Sequence, residues 1–207
     1  MSREEMLDRV RAALGRREGE AAPAPPALSL RTSEANLEEF TARAEKLGLT
    51  VAVVDSPEDA HVKVKALLAG RTAIAPDDEF LTVCGIGGIA GVEKGITDPA
   101  AWRAACARVD VGITSADYAL AETGTLEMIA SAGNTRLASL LPLEHIAVVP
   151  LSRLLGGLPE LLQREAAVFE RSSSLVLITG SSSTGDIEQL LIKGVHGPRQ
   201  VQIVFVR

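Results

Sequence analysis

Short aliphatic runs alternate with amphipathic stretches along most of this chain. The runs at 49–55 (LTVAVVD), 72–76 (TAIAP), 109–114, 145–150, 175–179 and 201–206 have the length and composition of strands. Shorter runs at 80–84, 126–130 and 137–140 also read as strands, the last two joined by the loop SAGNT. Helical periodicity predicts helices over 33–46, 57–68, 98–108, 158–170 and 185–193, with a short one at 115–120. Punctuation supports two of these. Ser33 can cap the first and Gly48 close it. Ser56, Pro57 and Asp59 give the second a capping-box start, and Gly70 stops it. Alternating strands and helices predict an α/β fold with a mostly parallel sheet flanked by helices.

The amino-terminal part follows a different pattern. Residues 2–17 read as a short amphipathic helix with Met6, Leu7, Val10 and Leu14 on one face. An Ala/Pro-rich stretch at 18–30 (within EGEAAPAPPALSL) reads as an extended linker. The organisation expected is therefore a helix at 1–17, a linker at 18–30 and an α/β domain at 31–207. The helix is tethered, and its apolar stripe is free to dock on this chain or on a partner.

Composition narrows the function classes. The chain is 46% hydrophobic but only 3% aromatic, so its core must be aliphatic, as buried parallel strands require. The net charge is −6 and no basic stripe exists, which argues against nucleic-acid and anionic-membrane binding. No run reaches the roughly 18 apolar residues of a spanning helix. The charged start lacks the apolar core of a signal peptide, and a cytoplasmic location is expected. Cys84 and Cys106 form no CxxC pair and read as buried thiols. Two cysteines cannot supply the four ligands of a typical iron–sulfur cluster.

Three stretches carry candidate chemistry. CGIGGIAG at 84–91 spells a dinucleotide fingerprint, but Gly91 and Gly95 break the long helix it must open, so a glycine-rich surface loop is expected. In GITSADYALAETGTLEM at 112–128, Thr114 and Asp117 have capping-box spacing and Ser115 begins the short helix. Its free N–H groups, with Thr114, Ser115 and Thr123, would face a ligand at the sheet edge. Glu122, set among small residues, is either a catalytic carboxylate with a desolvated pKa or a structural acid held by nearby backbone N–H groups.

In LITGSSSTGDIEQLLIKGVHGP at 177–198 the glycine spacing is that of a phosphate loop, but Asp186 and Ile187 replace the lysine and hydroxyl residue. Ser182, Ser183, Thr184 and a helix N-terminus would suit a carboxylate or single phosphate, with Asp186 in the first helical turn. His196 is either a catalytic residue turned toward the same edge or a turn histidine. Scattered histidines make a dedicated metal site improbable, and no cofactor is expected. Thr114, Glu122, Ser183, Asp186 and His196 are expected to converge in one cleft at the carboxyl ends of neighbouring strands.

VGITSADYALAETGTLEM, RLASLLPLEHIAVVP and TGSSSTGDIEQLLIKGVHGP together resemble the LUD-domain family, in its lactate-utilisation branch. The family pattern has proline where this chain has Ser181. The resemblance implies a fold similar to the phosphosugar isomerase, CoA-transferase and formyltetrahydrofolate cyclo-ligase group. It also implies a cytoplasmic, non-redox role in oxidising L-lactate to pyruvate, beside partner proteins that carry the iron–sulfur clusters. A stand-alone acyl- or group-transfer enzyme acting on a small anion is the alternative that such a fold allows.

Overall fold

The computed structural model describes residues 2–14, 32–130, 136–165, 167, 168, 172, 174–185 and 191–207. Helix α1 (Arg3–Leu14) comes first, with Met6 and Val10 half exposed. Deleting residues 1–30 is therefore expected to leave the melting temperature within a few degrees, since few core contacts depend on α1. A calorimetric scan of the truncated chain checks this.

Helix α2 (Ser33–Lys46) is capped by Thr32, one residue earlier than expected, whose hydroxyl accepts the Ala35 N–H at 3.3 Å. Strand β1 (Thr50–Val54) leads to α3 (Pro57–Leu68). The Ser56 hydroxyl accepts the Asp59 N–H at 3.1 Å and donates to its carboxylate at 2.7 Å, so the predicted cap forms. Strand β2 (Ala73–Ile74), helix α4 (Glu79–Val83), a 3-10 turn at Ile86–Gly88 and β3 (Val92–Glu93) follow. Then come α5 (Pro99–Arg108), β4 (Val111–Ser115), β5 (Tyr118–Leu120), β6 (Thr125–Ile129), α6 (Leu137–Leu140) and β7 (Glu144–Pro150). A 3-10 turn at Leu151–Arg153, β8 (Leu154–Leu155), α7 (Leu158–Arg164) and β9 (Leu175–Ile178) precede β10 (Ser183–Gly185), β11 (Leu191–Lys193) and β12 (Gln200–Val206).

Six strands form the central sheet, in the order β1-β12-β7-β4-β2-β3, and every pairing is parallel. Helices α3 and α4 cover one face, where Val64, Leu68, Leu81 and Ile86 meet Ile113, Ile146, Val148 and Val204. The opposite face takes α2 and a second, four-stranded sheet, β8-β5-β6-β9. There Phe40 of α2 meets Phe205 of β12 edge-on, with ring centroids 5.0 Å apart. On the same face, α5 and α6 close over β2 and β4 through Ile74, Trp102, Cys106 and Ala138. Gly112 is the contact that lets α6 in. A Cβ there would stand 1.7 Å from the Ala138 carbonyl oxygen.

Four predicted elements take another form. Residues 80–84 are helical, because the Asp78 carboxylate caps α4 at the Leu81 N–H, 2.9 Å away. Residues 137–140 form a helical turn that packs on Gly112. The expected helix at 115–120 is strand β5. Asp117 does not cap it: its N–H bonds the Glu127 carbonyl, and its carboxylate takes the Ile129 N–H at 2.7 Å. The predicted helix at 185–193 begins and ends in the antiparallel pair β10 and β11. The Gly194 N–H reaches the Ser182 carbonyl and the Ser182 N–H reaches the Pro198 carbonyl, so the chain doubles back on itself.

Candidate functional site

The predicted site residues fall into three places. The first is the carboxyl end of the central sheet. The connection after β2 passes to the face carrying α4, while that after β4 passes to the face carrying the second sheet. A crevice opens between such strands in open α/β sheets, and ligands favour it. Ser115 stands there and donates to the Asp78 carboxylate at 2.7 Å. Asp117 follows, and burial, offset by the Ile129 N–H and by Arg153, lifts its carboxyl above the ordinary range. Arg153 donates to the Ala116 carbonyl at 2.8 Å and lies 5.9 Å from the Phe80 ring centroid, within cation–π range. Asp78, Arg153 and Phe80 are functional candidates that sequence patterns did not single out. Asp78 was legible as a helix cap, had 80–84 been read as helical.

The second place is the core. Thr114 is fully buried, and its hydroxyl lies 2.8 Å from Nε2 of His145. Among the described residues Nδ1 of His145 has no hydrogen-bond partner, and burial pushes the imidazole down to about 4. His145, which looked unremarkable in the sequence, is thus a buried neutral histidine. The unfolded chain, with a histidine near 6.5, binds the proton that the folded chain refuses between those values. Stability is therefore expected to be full above about pH 6.5 and to fall as the pH drops toward 4, by ~3 kcal/mol in all. Urea titrations at pH 5 and pH 7.5 check this, and His145→Gln should flatten the difference.

The third place is the turn holding Glu122 and the segment around Ser182. Glu122 is exposed, and its Oε1 accepts the Leu158 N–H at 2.9 Å at the start of α7. Gly157 makes room for it, since a Cβ there would stand 2.3 Å from the Glu122 carboxyl carbon. Thr123, Thr125 and Thr179 form a ladder of hydroxyls, each 2.7 Å from the next. Thr179 leads into Ser182, whose hydroxyl accepts the His196 N–H at 3.3 Å. The Ser183 hydroxyl donates to the nearby Ser181 carbonyl at 3.3 Å, and Ser183 and Thr184 pair with Lys193 and Ile192 across the two strands. Asp186 lies outside the described residues.

The expected single cleft does not form. Ser115 ends β4, whereas Ser182 and His196 sit where β12 begins, and β4, β7 and β12 are parallel. The two groups therefore occupy opposite ends of the sheet, and Thr114 is sealed in the core. The expectation rested on a helix after β9, and the chain makes a hairpin there instead.

The surface around that hairpin is apolar. Leu47, Leu140, Leu141, Leu143, Ile192 and Val195 are all 37–53% exposed. Their segments meet at this end: Arg199 N–H bonds the Leu143 carbonyl, and Gly48 and Gly180 lie against Lys193 and Leu47. Lys46, Lys193 and Arg199 add positive charge around these residues. Among the described residues, no group of three or more His, Cys, Asp or Glu could hold a metal ion. Nor is any helix among them long and apolar enough to cross a membrane.

Comparison with known proteins adds the family. The LUD domain model matches residues 37–206. Lactate utilization protein C of an Exiguobacterium species is 40% identical over 114 residues, 53% of this chain and 50% of that protein. Its counterpart in Halalkalibacterium halodurans is 43% identical over 103 residues, 48% of this chain and 45% of the relative. The chain thus spans about half the length of these two relatives. Lactate utilization protein C of Deinococcus radiodurans is 30% identical over 206 residues, 98% of this chain and 94% of the relative. A crystal structure of a DUF162 family protein from Deinococcus radiodurans superposes with a TM-score of 0.65 at 27% identity, over 86% of this chain and 99% of that one. The match of fold and of nearly the whole sequence places this chain in the LUD-domain family, beside the proteins named lactate utilization protein C.

Proposed function

We propose that this chain acts in lactate utilisation as a cytoplasmic, non-redox subunit or accessory factor of an assembly that oxidises L-lactate to pyruvate, its partners carrying the iron–sulfur clusters. The observation that supports it best is the apolar surface at the hairpin end of the sheet. Six half-exposed aliphatic side chains gathered there mark a protein contact more readily than a solvated face. The lysines and arginine around them select a partner surface with an apolar centre and carboxylates at its edge. The two thiols support the division of labour. Cys84 and Cys106 are buried in separate core clusters, and burial pushes each up to about 11, which keeps both as thiols of the core. The group-transfer alternative would need Glu122 as its reactive carboxylate, and one oxygen of that carboxylate accepts the Leu158 N–H at the start of α7. The test is co-expression with neighbouring reading frames rich in CxxC motifs. The tagged chain should retain a brown, cluster-bearing complex through gel filtration, and recovery of this chain alone would count against the reading.

A further inference from the structure

We infer that the recess at the carboxyl ends of β2 and β3 is a binding site for a short 2-hydroxy carboxylate, with Lys94 taking the carboxylate and Asp77 the hydroxyl. The recess is about 380 Å³ with its open mouth included, and Pro76, Asp77, Thr82, Gly85, Gly87 and Lys94 line it. The space within it open to water-sized groups is about 80 Å³, room for a handful of waters or a molecule of few heavy atoms. It adjoins the β2/β4 crevice, where the topology of the sheet favours ligands.

The two charges are what select the ligand. Among the described residues neither Lys94 nor Asp77 forms an ion pair or hydrogen bond through its side chain, although both line one recess. Asp78, next in sequence, is by contrast held by Ser115 and the Leu81 N–H. Both side chains are solvent-exposed, and a ligand that engages both carries an anion and a hydrogen-bond donor. A 2-hydroxy acid carries both on adjacent carbons.

Gly87 sets the position of the lysine. A Cβ there would stand 2.5 Å from Cδ and 3.0 Å from Nζ of Lys94, so the side chain lies across the glycine. The backbone at Gly87 is not left-handed, and the obstructing group is a flexible chain. Gly87→Ala should therefore fold normally and displace the ammonium group.

This inference rests on the proposed role in lactate utilisation for its choice of a hydroxy acid, but its test needs no partner. The isolated, isotopically labelled full chain is titrated with L-lactate, with propionate as the analogue lacking the hydroxyl. Saturable amide shifts are expected at Gly85, Gly87 and Gly88, with propionate at least fivefold weaker. Lys94→Met and Gly87→Ala should each weaken L-lactate binding tenfold or more, and Asp77→Asn should remove the preference over propionate. No saturable shift at these amides, unchanged binding by Lys94→Met, or equal affinity of the wild-type chain for both acids would overturn it. All of these variants should still co-purify with partners, so a failed docking experiment and a failed titration remain separate results.

Discussion

Gly112→Ala is expected to unfold the protein well below the melting temperature of the wild-type chain. Gly112 sits in the central strand β4, between β2 and β7, and its missing side chain is where the Ala138 carbonyl of α6 rests. One added methyl would meet the Ala138 oxygen at 1.7 Å and its carbon at 2.8 Å. Neither atom can yield as a side-chain tip would, because both belong to backbone. Moving α6 would open the cluster of Ile74, Trp102, Cys106 and Ala138. Overpacking of this kind costs about 3 kcal/mol or more, and at this chain length that is a fall of roughly 10 °C. Gly88→Ala is the control, since a methyl there meets nothing within 4 Å and the backbone is not left-handed. A Gly112→Ala protein melting within 3 °C of wild type would show that α6 is not held as described.

The second large effect concerns assembly. Leu143→Asp combined with Val195→Asp should abolish co-purification with the proposed cluster-bearing partners, weakening the contact by about a hundredfold or more. Both side chains are half exposed in the isolated chain, so burial there contributes little to folding and the melting temperature should hardly change. In a complex the same carboxylates would be buried without partners. Val62→Asp is the matched control: Val62 is more exposed still, at 66%, but belongs to α3 on the other face of the sheet. Loss of the complex with Val62→Asp and its survival with the double variant would move the docking surface to α3.

Much of the fold was legible because its strands announce themselves. The runs around β4, β7 and β12 are aliphatic on both faces, as strands covered on both sides must be, and the edge strand β1 is aliphatic too. The capped start of α3 was equally clear. The errors share a cause: short elements follow tertiary contacts more than local pattern. Residues 137–140 curl into a helix because Gly112 leaves space for it. The segment from 183 onward has a cap, a glycine and an acid in helical order, yet main-chain bonds from Ser182 to Gly194 and Pro198 turn it into a hairpin. The site was misplaced with it. A helix after β9 would have pointed its donors at a strand's carboxyl end, whereas the hairpin carries Ser182 and His196 to the start of β12. Lys94 and Asp77 went unnoticed because no short motif joins them. They come to line one recess only because β2 and β3 lie side by side.

The most direct measurement of the docking account is a hydrogen-exchange footprint of this chain with and without the proposed iron–sulfur partners. Amides at 140–143 and 191–199 should exchange at least tenfold more slowly in the complex, while those of α3 on the far face keep their rates. Protection confined to α3, or none at 140–143 and 191–199 in a complex that does form, would contradict the claim that the hairpin end of the sheet is where this protein meets its partners.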